Sequence, residues 1–426
     1  MKKLFFTWVL VSVAAVAAGQ AVTDSSWREE VKTATLTRSG VEQEAPLLTM
    51  GGGERMLLQF DLLADEVESL RYTIGHCDAE WRRDGLEPYE YMTGFESGEI
   101  ENYDLSITTL RPYIHYFQMI PAKFASFTHS GNYVVAVTNE EGDTLLTRRF
   151  RVNEGSVKVV AEVTRPYDGM DIERRQEVDV IIENSKSRIE NFSVPQLRPE
   201  YERIWVQQNG REDNARWLEF SSYDRAALCY RYRPQNIFDG GNTFRYFDMS
   251  NLRTPMYNVQ RVEEYGGELF ALLRPEEDRS RKHYLVETAL NGGMKVNAWD
   301  RRNPTLEAEY VWVNISLPMA QPMLDAKIYV CGQLTDWKLD ATSEMEYKPE
   351  YKAYVKRLLL KQGYYSYQLL VKRPVERRMK NEERSSATAR LEGDHRETPN
   401  TYTVYVYHRE PSDRADRLVG AVRIGN

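Results

Sequence analysis

Apolar residues recur along this chain with a period of two far more often than 3.6, the pattern of strands that bury one face. Met56-Leu57-Leu58-Gln59-Phe60-Asp61-Leu62 predicts one strand, Ser69 to Ile74 a second and Tyr113 to Ile120 a third. Tyr133 to Val137 and Leu145 to Val152 flank Glu140-Glu141-Gly142-Asp143, whose turn chemistry predicts a hairpin. A second series opens at Val157 to Val160. It continues through Glu177 to Ile182, Ile204 to Gln208, Tyr230 to Tyr232, Thr243 to Phe247 and His283 to Val286. Asn291-Gly292-Gly293, inside Leu285 to Val296, predicts another hairpin turn. A third series holds Glu309 to Ile315, Ala326 to Val330, Tyr354 to Leu360, Tyr364 to Val371 and Thr401 to Tyr407.

Short strands at this spacing, with no long amphipathic helix between them, predict an all-β chain of tandem immunoglobulin-like β-sandwich domains. Asn153-Glu154-Gly155-Ser156 and Arg301-Arg302-Asn303-Pro304 read as joints. The expected division is 20–154, 155–302 and 303–426, behind a leader at 1–19. The charge-rich run Arg377 to Arg384 and the tail from Pro411 are expected to be solvated loops.

The leader changes the picture of where the chain works. Lys2 and Lys3 precede an almost uniformly apolar run from Leu4 to Ala18, and Ala17-Ala18-Gly19 supplies the small residues a signal peptidase needs. Cleavage there leaves Gln20 first and takes the formal charge from -8 to -10. No later run approaches the roughly 18–20 apolar residues that span a bilayer, so no direct membrane insertion is expected. An acidic surface is a poor collector of phosphates, which argues against nucleic acid. With 12% aromatics, including 27 Tyr and 8 Trp, the chain has ample material for cores. Cys77, Cys229 and Cys331 lack zinc-type spacing. They read as small buried hydrophobes, with one long-range bridge as the alternative.

Catalytic signatures are missing: no nucleophile elbow, phosphate loop, zinc-protease helix or dinucleotide fingerprint occurs. The six histidines are scattered singly. No cofactor or metal is expected, and the chain is read as a non-enzyme. A carboxylate pair brought together by folding is the remaining route to catalysis.

Two stretches carry candidate function. In the first, His76-Cys77-Asp78-Ala79-Glu80-Trp81 leads into Pro88-Tyr89-Glu90-Tyr91-Met92-Thr93-Gly94-Phe95 and on to Tyr103-Asp104, interleaving aromatics, carboxylates and glycines. Such a connection either packs on its own side chains or presents them to a partner. The candidate partner interface is Trp81, Tyr89, Tyr91, Phe95 and Tyr103. In the second, Tyr329-Val330-Cys331-Gly332-Gln333-Leu334-Thr335-Asp336-Trp337 has the strand, glycine and tryptophan order of sugar-binding sandwich modules. Trp337 either stacks on a glycan, giving an exported glycan-binding protein as the alternative function, or caps the sandwich core.

The chain resembles the plug protein family of the type IX secretion system of Bacteroidetes-type bacteria. The resemblance rests on Tyr72 to Asp104, Thr128 to Tyr133, Leu146 to Phe150, Gln235 to Phe238, Phe244 to Asp248, Lys361 to Gln368, Glu392-Gly393 and Thr398 to Tyr407. Asp394-His395-Arg396 departs from the aromatic or hydroxyl-rich segment of that pattern. The resemblance implies a periplasmic, non-enzymatic, all-β protein, monomeric when free. Its partner would be the giant outer-membrane β-barrel translocon, whose periplasmic opening it seals.

Overall fold

The computed structural model describes residues 20–39, 45–184, 197–286, 290–373 and 388–425. The expected leader and the Arg377 to Arg384 run lie outside these residues. Strands make up 47% of the chain and helices 4%, which settles the class as all-β. No helix among the described residues is long and apolar enough to cross a membrane.

The strands build three sandwiches. In the first, one sheet runs Ser25–Ser26, Thr144–Asn153, Gly131–Thr138, Arg71–Cys77 and Ser97–Glu99, and Leu47–Thr49 joins Thr144–Asn153 in parallel. The facing sheet runs Val31–Arg38, Met56–Leu62, Ile114–Ile120 and Tyr103–Leu105. Leu58, Phe60, Tyr133, Val135 and Phe150 fill the space between them without solvent exposure. Met56–Leu62 forms with the bounds its pattern predicts, burying Met56, Leu58, Phe60 and Leu62 and also Asp61, and the Gly131–Thr138/Thr144–Asn153 hairpin sets Tyr133 opposite Phe150.

In the second sandwich, Val157–Thr164, Arg175–Asn184, Ala227–Tyr230 and Ser222–Asp224 form one sheet, with Ile237–Asp239 also paired to Arg175–Asn184. The facing sheet runs Arg216–Leu218, Glu202–Gln208, Thr401–His408 and Arg417–Gly425. In the third, Arg245–Asp248, Met294–Val296 and Lys327–Cys331 all pair with Gly363–Lys372. Opposite lie Val259–Tyr265, Glu268–Leu273, Tyr310–Pro318, Ala353–Lys361 and Glu346–Lys348.

Three expectations need correction. The division into 155–302 and 303–426 fails because the third sandwich is inserted into the second: strands from 245 to 372 build it, and the chain then returns to finish the second. The tail from Pro411 is no solvated loop, since Arg417–Gly425 pairs with Thr401–His408 and buries Leu418 and Val419 completely. His283 to Val286 is not a strand. Met294–Val296 pairs instead with Gly363 to Tyr365, and among the described residues no hairpin forms across Asn291-Gly292-Gly293. There the turn serves packing: a Cβ on Gly292 (φ +87°) would lie 2.1 Å from the Trp337 ring.

All three cysteines are free and buried. Burial pushes the thiols of Cys77 and Cys331 up to about 12, so they remain inert hydrophobes at neutral pH.

Buried polar contacts tie the sandwiches together. Asp61 of the first accepts from Tyr310 at 2.7 Å and from Lys361 Nζ at 2.6 Å, both on the third, and its other oxygen lies 2.7 Å from His115 Nδ1. Tyr113 reaches across the same junction to the carbonyls of Thr305 and Ala308. Between first and second, Arg417 grips both oxygens of buried Glu154 at 2.8 and 2.7 Å. There too Tyr407 donates to Asn132 while accepting from Arg151. Burial alone would disfavour these ions; their partners and hydrogen bonds make the geometry specific.

The outer end of the second sandwich contains a fault of testable sign. Glu177 is fully buried and accepts from the backbone N–H groups of Tyr167 and Tyr232. Asp179 Oδ1 beside it has no hydrogen-bond partner, and burial together with Glu177 pushes the Asp179 carboxyl up to about 7. Its folded-state value exceeds the unfolded one, so the cost of ionising it grows as pH rises from about 4 to about 7 and is then complete. Asp179→Asn is expected to raise the melting temperature at pH 7.5 and to leave it unchanged near pH 4. Solvent screening at this half-buried site holds the gain to about 1 kcal/mol. Equal melting shifts at both pH values in a scanning-calorimetry series would contradict this.

Candidate functional site

The aromatic loop divides between the two roles considered for it. Gly75 leaves room for Arg83: a Cβ there would fall 1.2 Å from the guanidinium. His76 sits 2.5 Å from Asp84 through Nδ1 and 3.0 Å from the Ser130 carbonyl through Nε2. Tyr91 donates to the Ile74 carbonyl and packs its ring against Tyr133 and His76. These contacts fold the loop back onto the sheet.

Trp81 and Tyr91 are thereby buried, at 6% and 3% exposure, and unavailable to a partner; they are removed from the interface set. Trp81 stacks with Arg149 and Arg151, whose guanidinium carbons lie 4.5 and 4.7 Å from its ring centre. Tyr103 stands apart on the outer edge strand of the opposite sheet, where it touches Tyr116.

Tyr89 and Phe95 point outward, 79% and 82% exposed. Tyr89 rides on a single helical turn, Pro88–Tyr91, started by Pro88 and closed by a reciprocal Glu87/Glu90 capping box. That turn feeds a two-stranded ribbon in which Met92 pairs with Phe127 and Thr93 with Ser126. Just beyond the ribbon the two segments stay close, since a Cβ on Gly94 would meet Ala125 at 2.9 Å, and Phe95 and Phe124 are the next residues outward. Phe124 is 89% exposed and has φ +71°. Reading the sequence missed it, because a lone aromatic in Ala122-Lys123-Phe124-Ala125 has no periodic signature.

This tip is the best candidate for a docking site. A bulky side chain at positive φ is strained; the turn closed by the Ala125 N–H on the Ala122 carbonyl sets that conformation, and the ring itself projects outward with Lys123 Nζ 5.1 Å from its centre. Phe95 and Phe124 beyond one end of the ribbon, and Tyr89 on the helical turn before its other end, are exposed aromatics of the kind that serve as interface anchors.

Trp337 is half-buried, its ring centre 6.4 Å from that of Phe244 in an edge-to-face arrangement and its ring over Gly292. Among the described residues no group of three or more His, Cys, Asp or Glu side chains is placed to hold a metal ion.

The first sandwich, from its strand Val31–Arg38 to the end of Thr144–Asn153, coincides with a known family. Residues 31–154 match the type 9 secretion system plug protein 1st domain. The plug-domain match therefore includes the whole aromatic loop and its tip. No curated protein matches the chain. Among solved structures, the chain is similar to a hypothetical protein from Parabacteroides merdae ATCC 43184, with a TM-score of 0.87 and 29% identity. That likeness covers 96% of this chain and 100% of the other, so the inserted three-sandwich arrangement is shared. A match to the Pseudomonas fluorescens alkylpurine DNA glycosylase AlkC, bound to DNA containing an abasic site analog, covers 29% of this chain and 30% of that one. Its identity is 18% and its TM-score 0.18, too low to carry an argument.

Proposed function

We propose that the protein is a periplasmic plug subunit, an interaction protein and not an enzyme, which binds the outer-membrane β-barrel translocon of type 9 secretion and covers its periplasmic opening. The observation that carries this reading is the match of residues 31–154 to the plug protein first domain. The architecture supports it. A cover for a wide pore must resist deformation, and the buried ties at Asp61, Glu154 and Tyr407 link the three sandwiches to one another. The exposed rings of Phe95 and Phe124, with Tyr89 on the neighbouring turn, supply aromatic anchors suited to a reversible interface with a polar rim. The signal-like leader and acidic charge fit a periplasmic location.

Affinity capture from gently solubilised outer membranes, with the tag at the C-terminus, tests the reading. Recovery of one very large barrel protein in stable amount is the expected result. A folded, exported bait that recovers no membrane protein would overturn it.

A further inference from the structure

A cavity of about 650 Å³ opens between the first and third sandwiches. Trp27 and Lys32 of the first line it, as do Trp312, Lys338, Arg357 and Leu359 of the third. Its apolar walls follow from strand alternation. Tyr310–Pro318 sends Val311 and Val313 into the third core and turns Trp312 outward, half-buried, opposite Leu359 on the neighbouring strand. Trp27 belongs to the other wall, 61% exposed, with Lys338 Nζ 5.9 Å from its ring centre.

Most charges in the lining are already matched. Arg28 pairs with Glu68, Arg111 with Glu268, Lys361 with Asp61 and Asp336 with Arg148. Glu30 is held by Arg28, which leaves the exposed Glu29 as the one carboxylate of the lining without a partner among the described residues. Lys338 and Arg357 donate to neutral groups, the Ser25 hydroxyl at 2.7 Å and Asn314 Oδ1 at 2.8 Å. Lys32 is half-buried and makes no hydrogen bond or ion pair among the described residues. Burial holds its ammonium below the ordinary lysine pKa; Arg111 adds to that shift, while Glu29, Asp336 and Glu30 oppose it. A half-buried ammonium without a counter-ion costs free energy that an anion beside it recovers.

We propose that this cavity binds a small amphipathic anion, a carboxylate or phosphate group on an apolar body, with Lys32 Nζ at the charged end and Trp27, Trp312 and Leu359 against the body. The size suits such a ligand, since sites of roughly 300–1,000 Å³ combine apolar walls with a few polar anchors. Lysine is a compact point charge and serves either head group. Because both sandwiches contribute walls, occupancy favours their closed junction over an opened one. The inference stands on the cavity and does not depend on what the exposed aromatics of the first sandwich bind.

Heat titration of the full chain with octanoate, octyl phosphate and acetate, at ionic strength fixed with chloride, tests it. A single saturable site is expected for the two long anions, with acetate, which lacks the apolar body, weaker by roughly tenfold or more. Lys32→Gln should weaken the site about tenfold, the worth of one charge-assisted contact, and Trp27→Ala about threefold. Lys32 makes no polar contact and Trp27 is mostly exposed, so both variants keep the fold. Tighter binding of octyl phosphate assigns the site to phosphate groups, and tighter binding of octanoate assigns it to carboxylates. No saturable heat with either long anion overturns the proposal. So does binding that either variant leaves undiminished, or acetate that binds as tightly as the long anions.

Discussion

Phe124→Gly is expected to leave the melting temperature within about a degree of wild type, or to raise it, while weakening capture of the membrane partner strongly. The two halves of this expectation have separate causes. In the free protein the ring is 89% exposed, so removing it gives up almost no buried surface. The backbone at φ +71° suits glycine, and relieving the strain of a bulky residue there is worth about 1 kcal/mol. The extra freedom glycine gains in the unfolded chain offsets that by about 0.5–1 kcal/mol. In the complex, an aromatic anchor of this kind contributes about 2 kcal/mol or more, a loss of roughly 30-fold in affinity. Adding Phe95→Ala should deepen the defect, since both rings are exposed beyond the same end of the ribbon. Unchanged capture by the double variant, with normal melting, would remove the tip from the interface.

What could be read from the sequence depended on whether burial was one-sided. Met56–Leu62 alternates as far as Phe60 and has the bounds its pattern predicts, and only Asp61, drawn into the junction with the third sandwich, is buried out of turn. Val31–Arg38 escaped notice because Thr33, at φ +50°, breaks the pairing register between Lys32 and Thr35 and so interrupts the period of two. Thr401–His408 is buried on both faces: Tyr402, Val404 and Val406 enter the second core, while Tyr405 and Tyr407 pack towards the first sandwich. Its aromatic run marks it as a strand but hides which partner it has. Its neighbour Arg417–Gly425 is diluted by arginines and by Gly420, where a Cβ would meet Val159 at 2.7 Å. Polar residues at a packed junction thus looked like a solvated tail. The insertion of one sandwich into another is a matter of pairing between distant strands, such as Glu202–Gln208 with Thr401–His408, which no local pattern encodes. At the site, Tyr89 and Phe95 were legible as unusual residues in an unusual loop. That Trp81 and Tyr91 turn inward could not be read, since it depends on Arg149, Arg151 and Tyr133 from another part of the chain.

Glu392→Gln is expected to have the opposite signature, a large loss of stability with the docking tip intact. Glu392 has no solvent exposure and closes the loop between the inserted sandwich and its return to the second. Its Oε1 accepts from Arg245 Nε at 2.9 Å and from the Leu369 N–H at 2.6 Å, and its Oε2 from Arg279 Nε at 3.0 Å. Burial by itself would raise the carboxyl's pKa, but the charges of Arg245 and Arg279 outweigh it and hold the group below the usual carboxylate range. Glutamine keeps the shape, removes the charge and turns an amide donor towards one arginine. Arg245 then retains only Glu276 as an ionic partner in the core. Breaking one member of a buried ion network in this way costs about 3–5 kcal/mol. The pH dependence identifies the cause. Because the folded-state pKa is depressed, the stabilisation is fully present above the unfolded carboxylate range near pH 4.5 and is lost as pH falls through the folded value. The melting temperatures of wild type and variant should therefore differ most at pH 6–7 and converge in acid. A gap of constant size down to pH 3 would attribute the loss to packing and not to charge. The fraction of the variant that remains folded should still capture the partner normally, because Tyr89, Phe95 and Phe124 belong to the first sandwich. Loss of capture by that folded fraction would place the docking surface on the inserted sandwich instead.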